Sequence, residues 1–277
     1  MAITAKEVNE LRKMTGAGMM DCKKALVEAD GDYDKAIDIL RTKGQKVSAS
    51  RADRDAKEGV VFIKTNDEAT ESVLIALACE TDFVAKNEEF QTVGNKISEI
   101  VFEQKPATIE DLLNLKFDDI TIGEKVTELT GKIGEKLEVK YYERMTGEVV
   151  IPYIHAGSKL GVLVSLTGAN GTDVTAAGRD VAMQIAAMSP VAVSKDSVDQ
   201  ATVDHELAIG REQALAEGKP ENLLDRIAEG KLNKFFSENT LLSQKFVKDN
   251  SLTIEKYLNG IQNGLTVVDF KRIAIGG

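Results

Sequence analysis

The rhythm of apolar positions changes along this chain, and each change predicts a different kind of element. Over the first fifty residues apolar side chains recur at helical spacing. Thr4-Ala5-Lys6-Glu7 has the form of a capping box, Val8 and Leu11 follow on one face, and Thr15-Gly16-Ala17-Gly18 breaks the run. The pattern predicts a second helix from Met19 to Ala29, stopped by Asp30-Gly31. It predicts a third from Tyr33 to Thr42, capped by Asp32 and ending before Gly44. Three short helices with short connections make a minimal bundle. From Lys46 to Glu58 small residues alternate with charged ones, the pattern of a linker or an exposed helix.

The middle of the chain then reads as a duplication. Strand patterns at Glu58-Gly59-Val60-Val61 and Ser72 to Ala78 lead into a helix from Glu88 to Glu103. A second copy starts at Gly147-Glu148-Val149-Val150-Ile151, continues from Leu160 to Leu166, and leads into a helix from Asp173 to Met188. Lys136 to Arg144 closes the first copy with a further strand, and Val267 to Ile275 closes the second in the same way. Between Ser197 and Glu238 alanine, leucine and charged residues dominate, split by Glu217-Gly218-Lys219-Pro220. Gly ending one helix and Pro opening the next predicts an antiparallel helical hairpin inserted into the second copy.

The expected fold class is therefore α+β. An N-terminal three-helix bundle precedes two duplicated α+β units with antiparallel sheets, the second carrying the inserted hairpin. The expected domains are a head at 1–45, a linker at 46–57, core unit 1 at 58–145 and core unit 2 at 146–277, with the hairpin at 195–238.

Composition narrows the function. The 277 residues are 43% hydrophobic, enough for real cores, and carry a net charge of −10. That acidity argues against direct nucleic-acid binding, which needs a basic surface to displace phosphate counterions. Cys22 and Cys79 are far apart and outside any CxxC spacing, as suits a reducing compartment. The amino terminus is unlike a signal peptide, and no apolar run approaches the roughly 18 residues that cross a bilayer. A soluble cytoplasmic protein is expected, with no membrane partner.

Candidate chemistry is sparse. The two histidines, His155 and His205, lie in different elements, and neither metal-ligand spacing, a P-loop nor GxGxxG occurs. No enzyme, cofactor or metal is expected. Contact residues are more legible. Met19 and Met20 follow the Gly16–Gly18 turn, and adjacent helical residues cannot both face one core, so at least one is exposed and adaptable. Thr81-Asp82-Phe83-Val84 lies on a strand-to-helix loop, a place where rigid scaffolds present function. The matching stretch in the second copy, Thr167 to Gly171, has no aromatic residue, so packing alone does not call for Phe83. The segment is read as a grip on a protein partner.

Leu11-Arg12-Lys13-Met14-Thr15-Gly16-Ala17-Gly18-Met19-Met20-Asp21-Cys22-Lys23-Lys24-Ala25-Leu26 resembles the amino-terminal signature of the bacterial elongation factor Ts family. Cys79-Glu80-Thr81-Asp82-Phe83-Val84-Ala85 resembles its second signature. The resemblance covers essentially the whole chain, head, duplicated core and hairpin included. It implies a guanine-nucleotide exchange factor that binds elongation factor Tu·GDP, disturbs the Mg²⁺ and phosphate site of that GTPase and promotes GDP release. The head would be a ubiquitin-associated-like bundle. Arg12, Met19 and Met20 match positions that touch a helix of the GTPase domain. Thr81, Asp82, Phe83 and Val84 match the segment that inserts there and dislodges Mg²⁺, and His155 matches a further contact. The rival expectation is a non-catalytic adaptor that uses its head on another partner and its core to dimerise. It leaves the second signature without a purpose. Self-association through the hairpin or a sheet edge is an open expectation under either reading.

Overall fold

The head forms because each helix has its own start and stop signals. In the computed structural model, which describes residues 3–276, helix α1 spans Ala5–Thr15. The hydroxyl of Thr4 accepts from the Glu7 amide and the Glu7 carboxylate accepts from the Thr4 amide, the reciprocal box expected from the sequence. Gly16 ends the helix at φ 65°, where a side chain would be strained. Helix α2 is Met19–Glu28, and α3 is Tyr33–Ser50, capped by Asp32. Val8, Leu11, Cys22, Ala25, Leu26 and Ala36 fill the small core between them.

Two compact units account for the described chain. The first comprises residues up to Lys64, Val73–Glu143 and the end from Ala274, and the second Thr65–Ser72 with Arg144–Ile273. In chain order the core begins with strands β1 (Glu58–Thr65) and β2 (Glu71–Cys79). Helices α4 (Asp82–Ala85), α5 (Glu88–Gln104) and α6 (Ile109–Asn114) come next. A small hairpin of β3 (Lys116–Phe117) and β4 (Ile120–Thr121) leads to α7 (Ile122–Ile133) and β5 (Glu138–Thr146). The sheet order is β1-β2-β5, and β2 is buried from Ser72 to Cys79.

Helix α3 is longer than the residues suggested. Gly44 was expected to follow its end, yet the helix runs six residues further. Gly44 marks a crossing instead: a Cβ on Gly131 of α7 would lie 2.4 Å from the Gly44 Cα. The missing Cβ of Gly131 lets the two backbones touch, and that packing outweighs glycine's poor helix propensity.

The second copy repeats the first more completely than strand, strand, helix. It runs β6 (Val149–Ile154), β7 (Leu160–Thr167), α8 (Thr175–Met188), and the inserted hairpin of α9 (Gln200–Ala216) and α10 (Leu224–Asn239). It then closes with β8 (Lys245–Phe246), β9 (Asp249–Thr253), α11 (Ile254–Ile261) and β10 (Thr266–Ala274), in sheet order β10-β7-β6. The β6 and β7 strands pair antiparallel, Val149 opposite Leu166. Phe117 and Phe246 are both buried, Thr121 and Thr253 both cap the following helix, and Ile122 and Ile254 are both fully buried behind them. Each long core helix also presents a glycine to the first strand. Gly94 rests on Phe62 and Gly178 on Ile151, each closer than a Cβ would permit. The inserted hairpin also crosses at a glycine, with Gly210 against Ala228 and Arg211 paired to Asp225 at 2.6 Å.

Candidate partner-binding site

The loop after β2 folds into a single helical turn whose two faces have opposite fates. Thr81 caps it with an extended backbone, and its hydroxyl accepts weakly from the Val84 amide at 3.5 Å. Val84 and Ala85 are buried in the first core, and Asn87 then caps α5 by accepting from the Glu89 and Phe90 amides at 2.9 and 3.2 Å. The aromatic that anchors this region is Phe90, fully buried. Phe83 is released to the opposite face and is 82% exposed, the most exposed large hydrophobic residue among the described residues. Asp82 stands beside it and pairs with Lys86 at 2.6 Å, which holds the Asp82 carboxyl below its ordinary pKa through that hydrogen bond and the lysine charge. The structure therefore separates the four expected contact residues. Asp82 and Phe83 are presented, Thr81 is half-buried, and Val84 serves the core.

The turn is tied down from below. The Thr81 amide and hydroxyl donate to the Glu135 carboxylate at 3.0 and 2.7 Å. Glu80 accepts from the Lys136 amide at 2.6 Å and from Arg51 and Arg54 at 3.1 and 2.9 Å. Burial pushes the Glu80 carboxyl up, but these donors outweigh it and its pKa falls below the ordinary value. The Cys79 thiol donates to the Thr81 carbonyl at 3.1 Å. Burial, with Glu135 and Glu58 nearby, pushes that thiol up to about 12, so it stays a protonated donor.

In the head, both methionines are exposed, Met19 by 52% and Met20 by 62%. The reason is that the buried stripe of α2 starts at Cys22 and continues through Ala25 and Leu26. Arg12 is exposed on α1, one residue beyond buried Leu11. Met14 is exposed as well, a contact candidate that sequence reasoning passed over because it sits close to the buried face. Arg12, Met19, Met20 and the loop belong to the first unit, and His155 belongs to the second. His155 lies exposed in the β6–β7 turn, its Nδ1 2.9 Å from the Tyr153 hydroxyl. Among the described residues no group of three or more His, Cys, Asp or Glu side chains is placed to hold a metal ion.

A family model described as elongation factor TS matches residues 80–277, from the residue before Thr81 onward. Full-length relatives extend the match through the head. An elongation factor Ts from Amoebophilus asiaticus is 57% identical, with all of both chains covered. One from Cytophaga hutchinsonii is 55% identical over 99% of each chain, and one from Chlorobium phaeobacteroides 41% identical over 99% of each. The chain belongs to the elongation factor Ts family. That membership gives it a role in the elongation stage of protein synthesis. No helix among the described residues is long and apolar enough to cross a membrane. The family's second signature was readable from the sequence, but Glu135 was not. It lies 54 residues from Thr81 in a segment where no motif drew attention to it.

Proposed function

We propose that this member of the family is a guanine-nucleotide exchange factor that binds elongation factor Tu·GDP and works without covalent chemistry. Phe83 and Asp82 enter the GTPase domain and disturb its Mg²⁺ and phosphate site, so that GDP leaves. The head holds the same domain through Arg12, Met19 and Met20, and His155 adds a contact from the second unit. The observation that carries this reading is Phe83, an aromatic 82% exposed on a turn that Glu135 holds through Thr81. A side chain already held on a rigid support gives up little conformational freedom when a partner buries it.

The thermodynamic requirement is simple. The protein must bind nucleotide-free partner more tightly than the GDP-bound form, and by linkage GDP weakens its binding by the same factor. Burying one phenylalanine yields about 1.5–3 kcal/mol, or about one to two decades of affinity. Any acceleration beyond that comes from loss of Mg²⁺ and from the head and second-unit contacts. Methionines suit the head's part, because flexible thioether side chains adapt to a partner's surface.

The test is release of fluorescent GDP from elongation factor Tu, with and without this protein at micromolar concentration. Acceleration by wild type supports exchange, and an unchanged rate refutes it. The same assay separates exchange from a purely adaptor role, in which the complex forms but GDP stays.

A further inference from the structure

We infer that Glu135 is a positioning residue: its carboxylate fixes the direction in which Phe83 is presented to the partner. The inference rests on the exchange reading above and names a residue outside the family's two signature segments.

Glu135 and Glu80 form a crossed clasp between two segments far apart in sequence. Glu135, just past the Gly134 cap of α7, takes the Thr81 amide on one oxygen and the Thr81 hydroxyl on the other. Glu80, next to Thr81, takes the Lys136 amide, next to Glu135. Two bonds to one planar carboxylate stop a residue from swivelling as well as from lifting away. With the Thr81 carbonyl accepting from Cys79 and from the Ala85 amide, all the polar groups of Thr81 are engaged. Thr81 is the cap of α4, so its orientation sets the orientation of the whole turn. Phe83, two residues on and almost bare, has little else to aim it.

The fold alone does not explain this arrangement. The second copy makes the same strand–loop–helix step and ties its last turn to the loop by one neutral bond, Thr172 to Gln262 at 3.1 Å. The charged, two-pronged hold from the last turn belongs to the copy that carries Phe83. A catalyst working by insertion gains from such a hold, since a misdirected wedge binds without opening its target.

Glu135→Ala, Glu135→Gln and Thr81→Val test it through two measurements. Hydrogen exchange of amides 81–86 reads the clasp without any partner. GDP release from elongation factor Tu gives a saturating rate and a half-saturating concentration. Glu135→Ala should speed amide exchange and cut the saturating rate by about tenfold, with half-saturation moved less than about twofold because the head is untouched. Glu135→Gln can still accept from the amide and donate to the hydroxyl, so it should restore both readouts to within about twofold. Thr81→Val removes one prong and should cost about threefold in rate, with no further loss when added to Glu135→Ala. Unchanged protection and saturating rate in Glu135→Ala overturn the inference, as does a loss confined to half-saturation. Should Glu135→Ala not fold, Glu135→Gln and Thr81→Val decide, and a Thr81→Val protein at wild-type rate and protection overturns it. Wild type without effect on GDP release overturns the exchange reading itself, whereas active wild type beside an equally active Glu135→Ala overturns this inference alone.

Discussion

The loops after β2 and after β7 occupy the same place in two copies of one unit, yet one projects and the other lies down. In the second copy Glu148, at the start of the first strand, reaches across and accepts from the Thr167 hydroxyl and from the Gly168 and Ala169 amides at 2.8, 2.9 and 3.1 Å. The loop is stapled to its own sheet. In the first copy the matching position, counted from Phe62 and Ile151 under their glycines, is Gly59. It has no side chain to reach with, and a Cβ there would lie 2.3 Å from the Leu77 carbonyl. The first loop is held by Glu135 from the far end of the unit, and the freed residues close into the turn that carries Phe83. On two copies of one scaffold, a carboxylate beside the first strand closes the loop, and one from the far end of the unit leaves it presented.

The difference between the two loops should matter most at Phe83. Phe83→Ala should slow GDP release by about ten- to a hundredfold in stopped-flow, since one buried phenylalanine is worth about one to two decades. Complex formation through the head should persist. If that variant exchanges at the wild-type rate, the projecting loop has no special role. The reciprocal experiment places the second copy's anchor in the first. Gly59→Glu should not staple the loop, because φ at 143° and the Leu77 carbonyl both oppose a side chain. It should instead destabilise the protein by about 2–4 kcal/mol in urea melts.

Smaller effects sharpen the contrast. Met19→Ala with Met20→Ala should raise the half-saturating concentration about tenfold while leaving the saturating rate near wild type, which separates holding from opening. Glu148→Ala should lower the melting temperature by a few degrees yet change exchange by less than about twofold, because the stapled loop is not presented. Acid should give the smallest signal. Thr167, then the Gly168 amide, hold the Glu148 carboxyl below its ordinary value of 4.5, and Glu80 is likewise depressed. A depressed folded pKa gives stability that is full above the unfolded value and lost as pH falls through the folded one. Melting temperature should therefore be insensitive to these groups near pH 7 and decline below about pH 4.5. Replacing Glu148 should remove part of that decline.

Much of the architecture was legible because periodicity speaks directly of burial. The strand start at β6, the apolar runs of β2 and β7 and the caps of the head helices all appear where those patterns lie. What escaped was set by partners distant in sequence. Gly44 reads as a stop until Gly131 is seen to press against it. The β3–β4 hairpin, α6 and α11 are short, whereas α7 was passed over although Thr121 and Glu124 form a capping box at its start. The resemblance across the copies emerges when Phe117 is set beside Phe246 and Thr121 beside Thr253. At the candidate site, Phe83 was legible through the asymmetry of the copies, and both methionines proved exposed where one was required. Val84 was grouped with the contacts by its motif, but its burial shows a motif can mix anchor and tip. Glu135 could not be found, because a carboxylate in a turn looks like any other solvated charge.

The contact of Gly44 with Gly131 carries a mechanical consequence. Side chains between two helices act as compliant spacers, since rotamers shift and thioethers or methylenes give way. Here backbone meets backbone, and nothing compressible lies at that point. Helix α3 belongs to the part of the chain that displays Met19 and Met20, and α7 ends at the residues that clasp Thr81. The span from the methionine pair to Phe83 is thus set like the jaw of a fixed gauge, by the missing β-carbon of Gly131. A methyl group added at Gly131 would press on the Gly44 backbone and reset that opening, whereas one at Gly44 would meet its neighbours only at 3.6 Å and beyond.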